Sequence, residues 1–306
     1  MTLNSSGPIS LAGTTAGVSI EIENGGNGTT MISLNDTAVR TLAGVPSGAI
    51  IMPTNFYGKS NSFNFSITSN TSNANLRSLA ITAGWGASSK VVATINSGIY
   101  VYSNVTSTPG LTINGSFPAG VTLVNNGFIV GMGGAGGNGG SGSGSNAGLA
   151  TLISVAVTIN NTSGTIAGGG GGGGGGGTSC YSGCPCFGFG AYGGAGGGGG
   201  GGRTGLTNSS GGAPDATPGN SGYHNQQPGA AGTSTAAGSG GSPAQAYGGE
   251  TGTTGGSGGN WGANGANGAN NFTCSGGPGG TGGNATSGAG TYVTWAGTGT
   301  RYGTVG

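Results

Sequence analysis

The stretch Thr165-Ile166-Ala167, followed by the ten consecutive glycines Gly168–Gly177, decides the fold of the second half of this 306-residue chain. Glycine loses more conformational entropy on ordering than any other residue, so ten glycines in a row suit neither an α-helix nor a lone strand. In the left-handed extended helix with three residues per turn, the backbone makes no internal hydrogen bonds. Several such glycine helices can approach closely and bond laterally, which pairs their buried N–H and C=O groups. We therefore predict a bundle of polyglycine II helices.

The composition favours a glycine scaffold over a hydrophobic core. Glycine supplies 81 residues and only 4% of the residues are charged, whereas a typical soluble domain has about 25% charged residues. Beyond Ala167 the only Leu, Ile or Val residues are Leu206, Val293 and Val305. Burying each contributes roughly 1.5–3 kcal/mol, far less than the ordering entropy of that half at about 1–2 kcal/mol per residue. This half is therefore either disordered or held together by backbone hydrogen bonds.

Charge and motifs exclude several functional classes. The net charge is +1 and the six Lys and Arg residues are scattered, so we expect no nucleic-acid partner. No Lys follows Lys90, which excludes a phosphate-binding G-x-x-x-x-G-K motif. Five carboxylates and a single histidine lead us to expect no enzyme, no cofactor and no metal site. The chain has neither the ~20 apolar residues of a membrane span nor a signal peptide, so we expect cytoplasmic synthesis without membrane insertion.

The sequence pattern divides the chain into residues 1–60, 61–130 and 131–306. We predict a mainly β fold with a small N-terminal attachment domain, a β-sandwich-like middle and a C-terminal polyglycine II helix bundle with display loops. The middle part carries strand patterns without helix signals, which is the basis for the sandwich. These strand patterns cover residues 62–68, 80–85, 91–95 and 99–102.

The first part predicts one strand and one helix. Residues 17–23 alternate apolar and polar side chains, which predicts a strand with its two glutamates on a solvated face. Residues 34–44 predict a short helix, capped by Asn35 or Asp36 and ended by Gly44. A small polar part of this kind fits either a docking adaptor or a plain capping domain.

An internal repeat joins the second part to the third. Residues 121–131 and residues 157–167 both read as a strand, an Asn/Gly corner and a short strand, and each copy leads into a glycine tract. Such copies bury their apolar faces by stacking, either on each other or across a symmetric oligomer.

Aromatic side chains in the segments between glycine tracts are the predicted binding residues. Rigid aromatic rings flanked by Ser, Gly and Asn supply a large contact area at a small cost in entropy. The alternative for each residue is local packing over the glycine layer. The candidates are Tyr181, Phe187, Phe189, Tyr192, Tyr223, Tyr247, Trp261 and Phe272, together with His224 in a polar loop.

The four cysteines all lie in the glycine-rich half, at Cys180, Cys184, Cys186 and Cys274. Three close cysteines with one distant partner match a zinc site poorly, because such sites use two close pairs. They are candidates for one or two disulfides that would stabilise a domain with a small hydrophobic core. Free thiols are the alternative, since the chain is made in a reducing compartment.

The chain resembles tail proteins of tailed bacteriophages. Its opening resembles that of many tail and baseplate-associated proteins in four motifs, LNSSGPISL at 3–11, ISLND at 32–36, LAGVPSG at 42–48 and FYGK at 56–59. Its second half resembles the tail-fibre-tip adhesins of T-even-like phages, in which polyglycine II helices form a sandwich that presents loops to the host receptor. The repeat, the cysteines and a different N-terminus distinguish this chain from those adhesins.

The resemblance implies a component of the virion tail. Its N-terminus would attach to phage tail or baseplate proteins, and its loops would bind a host surface glycan or an outer-membrane protein. We expect a homotrimer, because tail fibres are commonly trimeric and the repeat strands are too few to close a core. The alternatives are a structural tail or baseplate component with a glycine-rich spacer, an ice-binding glycine bundle and a glycan depolymerase. An ice-binding surface would need a flat face with a period of three, which occurs only near residues 263–270.

Overall fold

The computed structural model describes residues 2–87, 89–178, 197–213, 227–243, 251–271 and 275–306. The chain forms two compact units. The first unit comprises residues 1–65, 80–92 and 117–122, and the second comprises residues 66–79, 93–116 and 123–306. None of the helices in the described ranges has the length and hydrophobicity of a membrane-spanning segment.

A small apolar core organises the first unit. Helix α1 (Ile20–Glu23) and helix α2 (Thr37–Ala43) contribute to it, and a 3-10 helix follows at Thr54–Phe56. Asp36 is the N-cap of α2, and Gly44 ends the helix in the left-handed conformation at φ 71°. The predicted helix, its apolar stripe and its terminal glycine are therefore confirmed, and Asp36 takes the N-cap position without a capping hydrogen bond from its side chain. The buried core side chains are Leu3, Ile20, Val39, Leu42, Ala43 and Phe56.

The strand predicted over residues 17–23 is wrong, because this segment contains helix α1. Ser19 starts the helix, since its hydroxyl oxygen accepts the N–H of Ile22 at 3.3 Å. Glu21 and Glu23 are also buried instead of solvated. The carboxylate of Glu21 accepts main-chain N–H groups from the loop that follows α1, and the carboxylate of Glu23 accepts the N–H of residue 61 at 3.0 Å. The alternation of apolar and polar residues therefore does not separate a buried face from a solvated one here.

Besides these helices and the glycine-rich segments, the described residues contain short strands and two more short helices. Helix α3 spans Leu76–Thr82 and helix α4 spans Ala289–Tyr292. The strands are β1 (Ser62–Ile67), β2 (Thr71–Ser72), β3 (Ala74–Asn75), β4 (Lys90–Ile95), β5 (Tyr100–Tyr102), β6 (Leu111–Ile113), β7 (Val121–Asn125), β8 (Phe128–Val130), β9 (Thr151–Ile153), β10 (Val157–Asn160), β11 (Thr165–Ala167), β12 (Thr286–Ser287), β13 (Val293–Gly297) and β14 (Thr300–Tyr302).

Helix α3 replaces the first half of the strand predicted over residues 80–85. Asn75 starts the helix, because its side-chain oxygen accepts the N–H of Ser78 at 3.1 Å. Leu76 and Ala80 lie one helical turn apart and are both 0% exposed. The helix signal was therefore present in the sequence as an asparagine cap followed by apolar residues at a spacing of four.

Three sheets replace the predicted β-sandwich. Their strand orders are β1-β4-β7-β10-β13, β14-β11-β8-β5-β2 and β12-β9-β6-β3. Consecutive strands enter different sheets, and the strand pairs of the second and third sheets are parallel. The sandwich prediction is wrong because the Asn and Gly corners bend the chain into the next sheet instead of reversing it in hairpins.

The predicted internal repeat is confirmed, and its asparagines explain how the copies stack. Strands β7 and β10 are neighbours in the first sheet, and β8 pairs with β11 in the second. Asn125 and Asn161 occupy equivalent corners and are 0% exposed. The side-chain nitrogen of Asn125 donates to the side-chain oxygen of Asn161 at 2.7 Å, and that of Asn161 donates to the carbonyl of Thr298 at 3.0 Å. A Cβ at Gly164 would lie 2.5 Å from the side-chain nitrogen of Asn125, so this corner requires glycine.

The glycine-rich segments are inserted at equivalent positions in the order of the strands. Residues 131–150 lie between β8 and β9, and residues 168–285 lie between β11 and β12. Both segments are thus inserted between a strand of the second sheet and a strand of the third.

The ten-glycine run, which we call the central tract, is Gly168–Gly177. All ten of its N–H groups donate to carbonyls outside the tract. Every third N–H goes to the same neighbour, so that Gly170, Gly173 and Gly176 all donate to residues 197–203. The other two sets of three donate to residues 142–148 and 263–269. A period of three residues per neighbour is what an extended helix with three residues per turn produces.

The carbonyls of the central tract follow the same rule with three further neighbours. They accept N–H groups from residues 134–140, 253–262 and 277–283, again at every third position. Six segments therefore surround the central tract, three as acceptors and three as donors. Backbone hydrogen bonds provide the order that apolar side chains do not supply in this half.

The number of glycines in each group of three residues shows how many sides of a tract are covered. The central tract is covered on all sides and contains glycine alone. Residues 133–138, 255–260 and 276–284 read Gly-Gly-X, and residues 263–268 read Ala-Asn-Gly. In the last segment Gly265 and Gly268 face neighbouring backbones that a Cβ would overlap. The sequence prediction recognised this period only near residues 263–270, whereas the structure extends it through most of the tracts.

Candidate functional site

One end of the glycine array receives the ends of many tracts, and we call it the distal edge. Gly176 donates to Gly197 at 2.9 Å, and Gly177 donates to Ala269 at 3.1 Å. Thr253 donates to Gly177 at 3.0 Å, and Gly277 donates to Gly175 at 2.7 Å. The tract ends at residues 177, 197, 253, 269 and 277 therefore lie side by side.

The remaining tract ends reach the same edge through residue 198. Gly198 donates to the carbonyl of Gln227 at 3.4 Å, and Gly241 donates to the carbonyl of Gly198 at 2.7 Å. The carbonyl of Ala213 accepts the N–H of Gly139 at 2.9 Å, and residue 140 in turn donates to residue 176. All four stretches outside the described residues, 179–196, 214–226, 244–250 and 272–274, are thus flanked by tract ends at the distal edge.

Most of the predicted contact residues belong to those four stretches. Tyr181, Phe187, Phe189, Tyr192, Tyr223, His224, Tyr247 and Phe272 lie outside the described residues. Cys180, Cys184, Cys186 and Cys274, the candidates for disulfides, lie outside them as well. For all twelve, the sequence assignment stays a prediction.

Trp261 is the predicted contact residue that the structure describes, and it is buried at the opposite end of the array. Its side chain is 8% exposed, and its indole N–H donates to the carbonyl of Thr204 at 3.0 Å. Its ring lies 6.3 Å from the ring of Phe128 and 6.0 Å from that of Tyr302, between centroids. The guanidinium of Arg203 stacks over it at 3.7 Å. This environment favours the packing alternative for Trp261.

The described residues of the distal edge include no Lys or Arg. After Lys90 the sequence contains only Arg203 and Arg301 as Lys or Arg residues. Arg203 stacks on Trp261 and donates to the carbonyl of Ser234 at 3.1 Å, and Arg301 stacks over Trp295 at 4.7 Å. Both cations are therefore engaged near the strands. The stretches between the distal tract ends contain two carboxylates, Asp215 and Glu250, and no Lys or Arg.

Asparagine side chains complete the exposed flank of the array, a role that the sequence reasoning missed. Asn264, Asn267 and Asn270 repeat every three residues, and each side-chain oxygen accepts one N–H from residues 276–282 at 2.9 Å. Asn146 accepts the N–H of residue 281 in the same way, also at 2.9 Å. These oxygens take the place of carbonyls from a further tract. Asparagine at every third position next to glycine was the signal available in the sequence.

Comparison with solved structures identifies the fold. A chain in the crystal structure of the gp37–gp38 adhesin tip complex of the bacteriophage S16 long tail fibre aligns with a TM-score of 0.52 at 22% sequence identity. The alignment covers 96% of this chain and 99% of that chain. No curated protein matches this chain in sequence.

The family of the chain is shown by a match in sequence. Residues 62–306 match the family model described as phage tail fibre adhesin Gp38. The chain therefore belongs to the Gp38 family of phage tail fibre adhesins, and membership makes it a component of the virion tail. The resemblance found in the sequence is confirmed.

Proposed function

We propose that this chain is the receptor-binding tip of a phage tail fibre, with the four stretches at the distal edge as its contact surface. The observation that carries the proposal is that the tract ends flanking all four stretches lie at one edge. A rigid scaffold that gathers variable segments at one end is a common way to build a binding surface. We assign no catalytic residue to this surface.

We further propose that the tracts form a polyglycine II bundle. The three-residue period of the lateral hydrogen bonds, with six neighbours around the central tract, supports this arrangement. A bundle of this kind also favours the display function over the alternative of a flexible glycine-rich spacer. A spacer would have no need for backbone hydrogen bonds at every position of the central tract.

The N-terminal part is the proposed attachment site. The matched S16 structure is a complex of gp37 with gp38, and by analogy a tail fibre protein would bind residues 1–60 of this chain. Residues 61–130 would form the β region and residues 131–306 the display region. Assembly as a homotrimer stays a prediction.

The receptor surface is proposed to be neutral or basic. A phosphate-rich glycan core would call for Arg or Lys at the contact surface, and the distal stretches contain neither. Their aromatic, Ser, Gly and Asn content suits an outer-membrane protein or an uncharged glycan. The proposed contact residues are Tyr181, Phe187, Phe189, Tyr192, Tyr223, His224, Tyr247 and Phe272.

The test is adsorption of phage carrying the triple substitution Tyr181→Ala, Phe189→Ala and Tyr223→Ala. We expect adsorption to host cells to be lost while particles assemble and the purified chain keeps its melting temperature. Tyr292→Ala is the matched control, because Tyr292 is 38% exposed in helix α4, away from the distal tract ends. Unchanged adsorption of the triple variant would refute the assignment of these loops.

A further inference from the structure

The last strand of the second sheet leaves one side of its backbone unpaired. Strand β14 lies at the end of that sheet, so it pairs with a described strand on the β11 side only. On that side Thr300 donates to the carbonyl of Gly164 at 3.3 Å, and the carbonyl of Tyr302 accepts the N–H of Gly168 at 3.0 Å. Successive residues of a strand direct their N–H and C=O groups to opposite sides. Arg301 therefore directs both of its main-chain groups to the free side of β14, which we call the open edge.

Arg301 is also the unusual side chain at this edge. In the register of the second sheet it follows Val101, Ile129 and Ile166, which are all 0% exposed. A cation thus occupies the position where three preceding strands place a buried aliphatic residue. Its guanidinium stacks over Trp295 at 4.7 Å, and it has no hydrogen-bond acceptor or carboxylate partner among the described residues. The guanidinium N–H donors are therefore available beside the available main-chain groups.

We infer that the open edge binds an extended segment of a partner protein, with a carboxylate of that segment opposite Arg301. An extended segment can add to a sheet edge through main-chain hydrogen bonds. A guanidinium binds a carboxylate through two parallel hydrogen bonds, and such charge-assisted bonds are stronger than neutral ones. A segment with an Asp or Glu side chain complements the main chain and the side chain of Arg301 together.

We assign the segment to a tail protein of the virion, a choice that rests on the proposed function. A second copy of this chain is disfavoured. Among the described carboxylates, Glu21 and Glu23 are buried and Asp36 is the N-cap of α2, so none lies in a strand. The host surface is disfavoured by position. Gly168, the first residue of the central tract, donates to Tyr302, so the open edge lies at the end of the array opposite the distal edge.

The test is hydrogen exchange measured by mass spectrometry on the purified full chain and on intact phage particles. In peptides that cover residues 298–303, we expect the amide at position 301 to exchange at least about tenfold more slowly on the particle. Arg301→Gln should reduce this protection about tenfold, as expected for the loss of a charge-assisted hydrogen bond. Arg77→Gln is the matched control. It removes the same charge from helix α3, where the Arg77 side chain donates to the carbonyl of Ser116 at 3.1 Å, and it should leave the protection unchanged.

Three results would overturn the inference. One is equal exchange at position 301 in the purified chain and on the particle, as expected if Arg301 only closes the end of the sheet towards water. The second is equal protection of the wild type and of a folded Arg301→Gln variant. The third is protection that appears only at high concentration of the purified chain or only after host cells are added, which would assign the edge to a second copy or to the receptor.

A second variant keeps the test informative should Arg301→Gln fail to fold. Arg301→Lys retains the positive charge but lacks the planar fork, so it should still reduce the protection, and unchanged protection would count against a carboxylate partner. Exchange in residues 1–60, read from the same samples, reports on the proposed attachment separately. Protection there without protection at position 301 would overturn this inference and leave the attachment standing.

Discussion

Gly173 lies in the middle of the central tract, where the structure leaves no space for a side chain. A Cβ added there would lie 2.6 Å from the carbonyl carbon of Gly256 and 2.8 Å from that of Ser257, and it would overlap the Gly256 oxygen. All three contacts are with backbone atoms, so no rotamer change can relieve them. The substitution Gly173→Ala must therefore push the neighbouring tract away.

The expected loss of stability follows from the contacts that this displacement disturbs. Overpacking of a close-packed interior costs about 1–3 kcal/mol. The displaced tract donates to the central tract from Gly256 to Gly174 at 2.7 Å and from Gly259 to Gly171 at 2.7 Å, and weakening both bonds costs about 1 kcal/mol each. The sum is about 3–5 kcal/mol. For a domain of this size, each kcal/mol shifts the melting temperature by about 2–4 °C, so we expect a decrease of at least about 6 °C.

The assay is thermal unfolding of the purified chain by calorimetry, with Gly290→Ala as the matched control. Gly290 lies inside helix α4, and a Cβ there would meet no atom within 4 Å. Alanine favours a helix over glycine by up to about 1 kcal/mol, so the control should be as stable as the wild type or more stable. A melting temperature of Gly173→Ala within about 2 °C of the wild type would show that the glycine array does not stabilise this half of the protein.

Three further substitutions test other parts of the structure. Thr151→Val should leave stability unchanged or raise it by about 1–2 kcal/mol, since the Thr151 hydroxyl is buried without a hydrogen-bond partner among the described residues; a clear loss in denaturant unfolding would contradict this. Asn267→Ala removes the acceptor for the N–H of Gly279, so hydrogen exchange at Gly279 should accelerate while stability falls by only about 1 kcal/mol; unchanged exchange would argue against the capping role. Trp261→Ala should destabilise the chain by about 3–5 kcal/mol and leave adsorption intact below the new melting temperature, whereas loss of adsorption by a fully folded variant would restore Trp261 as a contact residue.

Local sequence signals predicted some elements well and misled at others. Helix α2 has a cap, an apolar stripe and a terminal glycine that all agree, and it forms as predicted. Helix α1 has an alternating pattern typical of a strand, but Ser19 caps a helical turn whose glutamates find buried main-chain donors. Helix α3 was missed because the strand pattern over residues 80–85 includes the end of the helix, while the asparagine cap at Asn75 lies five residues earlier. In both failures, a side chain just before the helix accepts a main-chain N–H of its first turn, and the strand-like pattern of the following residues hid that signal.

The candidate site was predictable only in part, for a similar physical reason. That aromatic residues lie between glycine tracts is visible in the sequence. The packing of Trp261 under Arg203 is not visible there, because it joins residues from separate tracts and strands.

The amino-acid sequence by itself determined that the second half could not have an ordinary core, which left either disorder or an order maintained by backbone hydrogen bonds. It also encoded the number of covered sides of each tract, since a position that touches another backbone has no room for a Cβ. Only the tertiary structure decided which tracts become neighbours. It also brought together, at the distal edge, the tract ends that flank residues 179–196, 214–226, 244–250 and 272–274. Glycines are chemically identical, so their order along the chain carries no information about partners. The strands, the turns and the asparagines at the flank supply that information when the chain folds.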